Sequence, residues 1–514
     1  MAGVADNRVY DVAIVGFGPT GAVAAGLLGG QGIRTFVCDR LHEVYDKPRA
    51  IALDHEIMRV FQQLGVVEQV EPFMEPFTNS EYYGVDGQLI KCMSTVEPPY
   101  PQGFNPSIVF SQPPVERVLR EHVAQLPSVT VSLGQTLVQV AQDDDRVTLQ
   151  LCGEDGVASE VSARYLIACD GASSTVRGQV GIALDDLGFD EPWLVVDVLV
   201  NDKGLAKLPQ VSVQYCEPQR PCTYLIGPGN HRRWEISINP GEDPQQVATP
   251  AGTWKLLSRW LTPDEATLWR QASYRFHALV AQTWRKGRVF VAGDAAHQQP
   301  PFLGQGMCQG VRDVANLCWK LGAVLKGQAS EALLDTYGTE RKGHVTELTT
   351  RIKAIGQLVG ERDVVQARAR DARLLAECDG VVKPVPRQNV QPALTLGLLA
   401  AQQHPARGSL FPQPWIMQQG ARRRMDDVRG TGWRLILGPQ ADADLCQAAS
   451  TIAVKGLSRH TLGAPDLVEA DGVLANWFAQ NKCAVVIVRP DHYIYGVANT
   501  AAELARQLND LNAI

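Results

Sequence analysis

The chain has 514 residues, 45% apolar and 20% charged, as expected of a soluble globular protein with about two to four domains. Its net charge of −7 argues against the basic stripe of a nucleic-acid binder. Eleven cysteines with no CxxC pair fit neither a disulfide framework nor a zinc site, so reduced thiols and a cytoplasmic location are expected.

Tyr10–Val15 reads as a buried strand, Thr20–Gly30 as a tightly packed helix of small residues, and Thr35–Asp39 as a second strand. That order is the opening βαβ unit of a dinucleotide fold. Met1–Tyr10 has no apolar leader, and no apolar run is long enough to span a membrane. The spacing of Ile57, Val60, Phe61 and Leu64 predicts a helix within Arg49–Val70, and Pro113–Leu126 reads as another. Val129–Leu151 alternates like a hairpin, and Arg164–Cys169 and Arg288–Ala292 read as strands. Between them, Pro192–Trp269 is mostly β, and Val311–Leu325 follows as a helix. After a connection over about 360–415, Trp433–Leu437, Thr451–Val454 and Ala484–Val488 read as strands, with helices at Gly472–Gln480 and Thr500–Leu511. This is a small α/β terminal domain.

Gly16-Phe17-Gly18-Pro19-Thr20-Gly21 carries the first chemistry. Gly16 allows a tight turn, Gly18 lets a pyrophosphate approach the backbone, and Gly21 lets helix and strand pack closely. The free N–H groups at the helix start favour an anion. Asp39, eighteen residues past Gly21, stands where a carboxylate accepts from an adenosine ribose. Two later segments each end a strand: Asp170-Gly171-Ala172-Ser173-Ser174-Thr175-Val176-Arg177, and Gly293-Asp294-Ala295-Ala296-His297 with Pro300, Pro301 and a Gly-rich turn after it.

Together these three motifs resemble the single-component FAD-dependent aromatic hydroxylases related to p-hydroxybenzoate and phenol hydroxylases. The resemblance implies an α/β (α+β) chain: a Rossmann-type FAD-binding domain over 1–190 and 281–360, and an inserted β-sheet substrate domain over 191–280. A helical connection follows over 361–415, then a thioredoxin-like C-terminal domain over 416–514 that lacks CxxC. It implies FAD held by Gly16, Gly18, Pro19, Thr20 and Gly21, by Asp39 with Arg40, and by Arg49, Gln112, Asp170, Gly171, Gly293 and Asp294. Gly304, Gln305, Gly306 and Met307 would present backbone N–H groups to the flavin edge that gains negative charge on reduction. NADH or NADPH and O2 would be co-substrates, with oxygen transferred from a flavin C4a-hydroperoxide to a phenolic ring. The Pro300 carbonyl resembles one that points into this kind of pocket. His297 reads equally as a catalytic group or a hydrogen-bonded structural imidazole, and Arg177 as a functional or a structural cation.

Further segments resemble the 3-(3-hydroxyphenyl)propionate hydroxylase group, among them Asp54-His55-Glu56, Val195-Val196-Asp197-Val198, Asp313–Leu321 and Arg489-Pro490-Asp491. The implied substrate is that phenolic acid; resorcinols, hydroxybenzoates, polyketides, or a flavin oxidase without oxygen insertion are the alternatives. Substrate candidates are Tyr82, Tyr215, Arg220, Tyr224, Trp234, Pro301 and Phe302. Arg220 would clamp a carboxylate, with a solvated surface arginine as the plain alternative. No metal, nucleic-acid or membrane partner is expected. The terminal domain is expected to be structural or dimer-related, with a homodimer as the candidate assembly.

Overall fold

The computed structural model describes residues 9–465 and 467–513; residues 1–8 of the Met1–Tyr10 stretch lie outside it. Strand β1 (Tyr10–Val15) runs into the Gly16–Gly18 turn, helix α1 (Pro19–Gly29) follows, and β2 (Thr35–Asp39) returns parallel to β1. Strand Ala158–Ala168 lies parallel on the other side of β1, and Val289–Val291 lies parallel beyond it. Parallel strands end at one edge of a sheet. The turns after β1, Ala158–Ala168 and Val289–Val291 are therefore gathered into one cleft beside the end of β2, the place where α/β sheets bind ligands. The small residues of α1 let it pack against helix Gly306–Leu325, where a Cβ on Gly310 would stand 2.3 Å from Thr20 Oγ1.

Several expected boundaries shift. Within Arg49–Val70, Ala52–Asp54 is a strand, and helix begins only at His55, where the Asp54 carboxylate caps the N–H groups of Glu56 and Ile57. Within Val129–Leu151, Val129–Leu133 joins the first sheet beside β2, and the hairpin is Gln135–Gln142 with Val147–Gly153.

The second sheet has nine strands. Its centre comes from the expected β region, with Leu184–Val200 between Ala266–Ala281 and His231–Ser237, then Cys222–Ile226 and Ser212–Tyr215. It is not self-contained: Ser80–Tyr83, Leu89–Ser94 and Val385–Pro386 extend it, the first pairing parallel with Ser212–Tyr215. Its two faces differ. Leu194, Val196 and Val198 join Tyr224, Trp234 and Ile236 in a core covered by helix Pro250–Leu257. Their neighbours Trp193, Val195 and Asp197 point the other way, toward the first sheet's unit.

The C-terminal unit is a four-stranded mixed sheet with helices, the arrangement expected of a thioredoxin-like domain. Trp433–Leu437 and Val485–Val488 are strands as expected. Thr451 instead closes helix Ala443–Thr451, and the strand is Leu457–Thr461. All eleven cysteines are free. Among the described residues, no helix is long and apolar enough to cross a membrane, and no cluster could hold a metal ion.

Candidate active site

The first turn fits a diphosphate. Gly16 has φ +99°, and a Cβ there would stand 2.3 Å from the Cys169 carbonyl oxygen. A Cβ on Gly21 would stand 1.9 Å from the Gly16 carbonyl oxygen. A Cβ on Gly18 would meet nothing within 4 Å, so the turn opens into space at this residue. No side chain caps the N-terminus of α1, leaving its first amides for a ligand. Arg120 lies with its guanidinium 5.0 Å from the centre of the Phe17 ring, and its Nε and Nη1 are buried without partners. The sequence reading missed it, because nothing in Pro113–Leu126 marks one arginine of an amphipathic helix as facing the turn. Asp39 closes the turn, accepting from the Phe17 N–H at 2.6 Å and the Leu41 N–H at 2.8 Å. Arg40 beside it is exposed.

The other two motifs brace one another. Asp170 accepts from Ser174 Oγ at 2.5 Å and from the Val176 N–H at 3.0 Å, fixing Gly171 at φ +85°. Arg177 donates to the Ala172 and Ala295 carbonyls at 2.9 Å each, tying the second motif to the third. His297 is fully buried, with Nε2 2.8 Å from Asp313 Oδ2, and stacks on Trp284. Asp313 also accepts from the Gly293 N–H and Arg341 Nε. Of the two readings of His297, this geometry is that of the hydrogen-bonded structural imidazole, which braces the Gly293 turn through Asp313. Gly293, at φ +60°, lies against Thr20. Asp294 stands open to the cleft with no protein partner among the described residues. Crowding by protein raises its pKa, and His297 and Arg49 draw it back.

Gln112 accepts from the Arg49 and Ala50 N–H groups at 3.1 and 2.7 Å, holding the Pro48–Ala50 loop. The Arg49 side chain lies exposed over Tyr45. The Pro301–Gly304 turn is closed by Gly304 N–H to the Pro301 carbonyl at 2.6 Å, with Gly304 at φ +63° against Ala52. No side chain caps helix Gly306–Leu325, and a Cβ on Gly306 would meet open space, so this N-terminus can also face a ligand beside Met307. The Gln305 side chain turns away, accepting from Arg312 Nη1 and Gln391 Nε2. Only its backbone is left to face the cleft. Pro300 is buried, and its carbonyl accepts no hydrogen bond among the described residues.

The substrate candidates divide. Tyr82 and Phe302 share a core with Trp193, whose indole meets the Phe302 ring edge-on at 5.4 Å; Pro301 opens the same turn as Phe302. Tyr82 donates to Met93 Sδ, and burial raises its pKa. The other four lie outside that core. Tyr224 and Trp234 lie in the core on the far face of the sheet, and Tyr215 packs there on Trp260. Arg220 forms a bidentate pair with Glu242 at 2.7 and 2.9 Å. The near face carries polar residues the sequence reading passed over. Arg233 donates to Asp197 and to the Pro48 and Arg49 carbonyls, and Arg270 donates to the Pro48 carbonyl, clamping this sheet to the Pro48–Ala50 loop. Thr223 donates to Gln214. Glu235 is buried without a hydrogen-bond partner, and burial pushes its carboxyl up to about 7.

The FAD binding domain family matches residues 9–352, and the HcaD C-terminal domain family matches 408–513. The chain belongs to the FAD-dependent aromatic hydroxylase family. This hydroxylase is 38% identical to a probable NADH-specific resorcinol 4-hydroxylase of Rhodococcus jostii (strain RHA1), over 99% of this chain and 96% of that one. It is 32% identical to a 3-(3-hydroxy-phenyl)propionate/3-hydroxycinnamic acid hydroxylase of Burkholderia cenocepacia (strain HI2424), over 96% and 95%. Aklavinone-11 hydroxylase, solved with FAD and aklavinone, superposes with a TM-score of 0.80 at 26% identity, covering 98% of this chain and 99% of that one. The open Gly18 cradle, the uncapped N-terminus of α1 and the unpartnered Arg120 donors fit the cofactor's diphosphate.

Proposed function

We propose that the hydroxylase uses NADH and O2 to add a hydroxyl group to a small phenol of the resorcinol type, with water and NAD+ as the other products. The observation that carries this substrate class is the charge of the near sheet face. Glu235 is the acid there that no donor reaches, while the cations Arg233 and Arg270 are engaged by Asp197 and by loop carbonyls, with the buried Arg270 Nε left unpaired. A substrate carboxylate there would meet repulsion from Glu235 and Asp197, and both cations are already paired with Asp197. The 38% identical relative is named for resorcinol and NADH.

Bound FAD supplies the redox chemistry, accepting hydride from NADH and activating O2 for transfer of one oxygen atom to the ring. The chain's own residues bind and orient. Gly16, Gly18, Gly21 and the start of α1 hold the diphosphate, with Arg120 and Arg49 supplying positive charge. Asp39 accepts from the ribose, and the open Asp294 carboxylate accepts hydroxyl groups of the ribityl chain. The backbone from Gly304 through Met307 opposes the negative charge that develops on reduction. Trp193, Phe302 and Tyr82 exclude water from the reacting ring, and the free Pro300 carbonyl accepts from a substrate hydroxyl.

A second reading has one observation in its favour. Arg387 lies with its guanidinium 4.3 Å from the centre of the Phe77 ring, donates to the Leu303 carbonyl, and lines a cavity of about 230 Å3. A propionate tail reaching Arg387 would make 3-(3-hydroxyphenyl)propionate the substrate. The test measures NADH and NADPH oxidation with each phenol, while chromatography quantifies hydroxylated product and hydrogen peroxide. Near one-to-one product from resorcinol supports the proposal. Product from the propionate alone selects the second reading, and peroxide without product from any phenol refutes hydroxylation.

A further inference from the structure

We infer that Glu235 is the group that receives the phenol proton of the substrate. This inference rests on the hydroxylase reading above and adds a residue to it. Glu235 lies on strand His231–Ser237, opposite Val195 on one side and Thr223 on the other. Side chains two residues apart on a strand share a face, so Glu235 points the same way as Arg233, and Val195 the same way as Trp193. Both of those neighbours reach the FAD-binding unit. Arg233 grips the Pro48 and Arg49 carbonyls, and Trp193 packs on Phe302 in the turn after Pro300. Glu235 therefore sits between the sheet's two anchor points on the flavin side, where a ring lying over the Pro300–Gly304 turn would be.

Its surroundings leave it without a donor. Thr223 spends its hydroxyl on Gln214, and Arg233 spends Nε and Nη2 on Asp197. No described residue donates to either Glu235 oxygen, and Oε2 is buried. A buried carboxyl without a partner costs stability, and a bound hydroxyl would relieve that cost by donating to it. The charges facing it are Arg233 on its own strand, Asp197 on Leu184–Val200, and Arg270 on Ala266–Ala281. Burial is the largest influence and raises its pKa to about 7; Arg233 and Arg270 oppose that rise, and Asp197 adds to it. The group is thus a weak base near neutrality, suited to general-base work.

The step balances. The phenol O–H bond breaks, a new O–H bond forms at a Glu235 carboxylate oxygen, and the bonding electron pair stays on the phenol oxygen. That raises electron density at the ring carbons ortho and para to it, where an electrophilic oxygen atom attaches. The proton leaves to solvent as product is released.

The test uses the FAD-loaded enzyme and its Glu235→Gln and Glu235→Asp variants. It follows kcat/KM against pH for resorcinol and for 4-nitrophenol, which is largely ionised at pH 8. In the wild type, kcat/KM for resorcinol is expected to fall below about pH 7 as the carboxylate takes a proton. Glu235→Gln is expected to keep its FAD spectrum, lose about 100-fold in kcat/KM for resorcinol, and lose far less for ionised 4-nitrophenol. Glu235→Asp is expected to recover part of the rate and keep an acid limb. A Glu235→Gln enzyme within threefold of wild type on resorcinol overturns the inference, as does an equal loss on both phenols. If Glu235→Gln does not fold, a wild-type profile flat from pH 6 to 8 overturns it alone. A wild type that hydroxylates neither phenol refutes the resorcinol-type reading, and this inference with it; an active wild type with an indifferent variant refutes only the inference.

Discussion

Gly18→Ala and Gly21→Ala separate what the fold needs from what the cofactor needs. Gly18 has φ −69°, a conformation that alanine adopts readily, and its Cβ would enter empty space. Removing glycine's freedom in the unfolded chain should leave the cofactor-free protein unchanged or more stable by about 0.4–1 kcal/mol. The same methyl group would occupy the diphosphate's position. Losing one hydrogen bond to a charged group costs about 1.5–3 kcal/mol, or about 10- to 100-fold in FAD affinity. Gly21→Ala reverses the pattern, because its Cβ would stand 1.9 Å from the Gly16 carbonyl oxygen and backbone must move. The cost falls on the fold itself, about 1–3 kcal/mol or more. Thermal unfolding of the FAD-free proteins gives the first quantity, and quenching of flavin fluorescence on titration gives the second. A Gly18→Ala protein that binds FAD as tightly as wild type would refute this account of the cradle.

Arg220→Ala should leave kcat/KM for resorcinol within about twofold and cost at most about 1 kcal/mol in denaturant unfolding, because its pair with Glu242 is partly solvated. Glu340→Gln should cost about 3–5 kcal/mol at pH 7, since it leaves Lys320 and Arg489 buried without their shared carboxylate. Those cations hold the Glu340 carboxyl down to about 2, below the about 4.3 of an unfolded chain. Its contribution is therefore complete above that range and lost as pH falls toward 2, and the variant's stability should fall less steeply there. Glu235→Gln should have the opposite sign. A folded pKa raised to about 7 means stability is lost as pH rises from about 4.3 through 7. At pH 8 the variant should melt higher than wild type, and a lower melting temperature would show that the carboxyl has a protein donor.

The cofactor cleft was legible in the sequence because its demands are local. A turn at φ +99° beside a carbonyl admits only glycine at 16, and close packing of α1 against that turn requires glycine at 21. The substrate face was not, because it depends on parity along strands. Tyr215, Tyr224 and Trp234 drew attention as aromatics, yet each lies one position from a near-face residue: Gln214, Thr223, and Arg233 or Glu235. A one-residue offset reverses the face, and only the pairing fixes which side meets the FAD-binding unit. Tyr82 lies more than a hundred residues before its strand partner Gln214, and no local pattern links the two.

The segments Asp54-His55-Glu56, Asp313–Leu321 and Arg489-Pro490-Asp491 have a common physical purpose in the fold. Asp54 and Glu56 pair with Arg312, which also donates to Gln305 at the head of the Gly306–Leu325 helix, and Tyr493 of the C-terminal unit donates to Glu56. Asn316 and Lys320 meet Glu340, which pairs with Arg489, itself held by Asp491. Arg59 and Arg434 share Asp426 across the same boundary. Buried charges of this kind cannot be pulled apart without leaving a partner uncompensated, which costs far more than the pair contributes. The C-terminal unit is thus locked to the FAD-binding unit through the residues behind the Gly304–Gly306 turn. A domain without a CxxC pair can in this way fix the position of the backbone donors on which the chemistry depends.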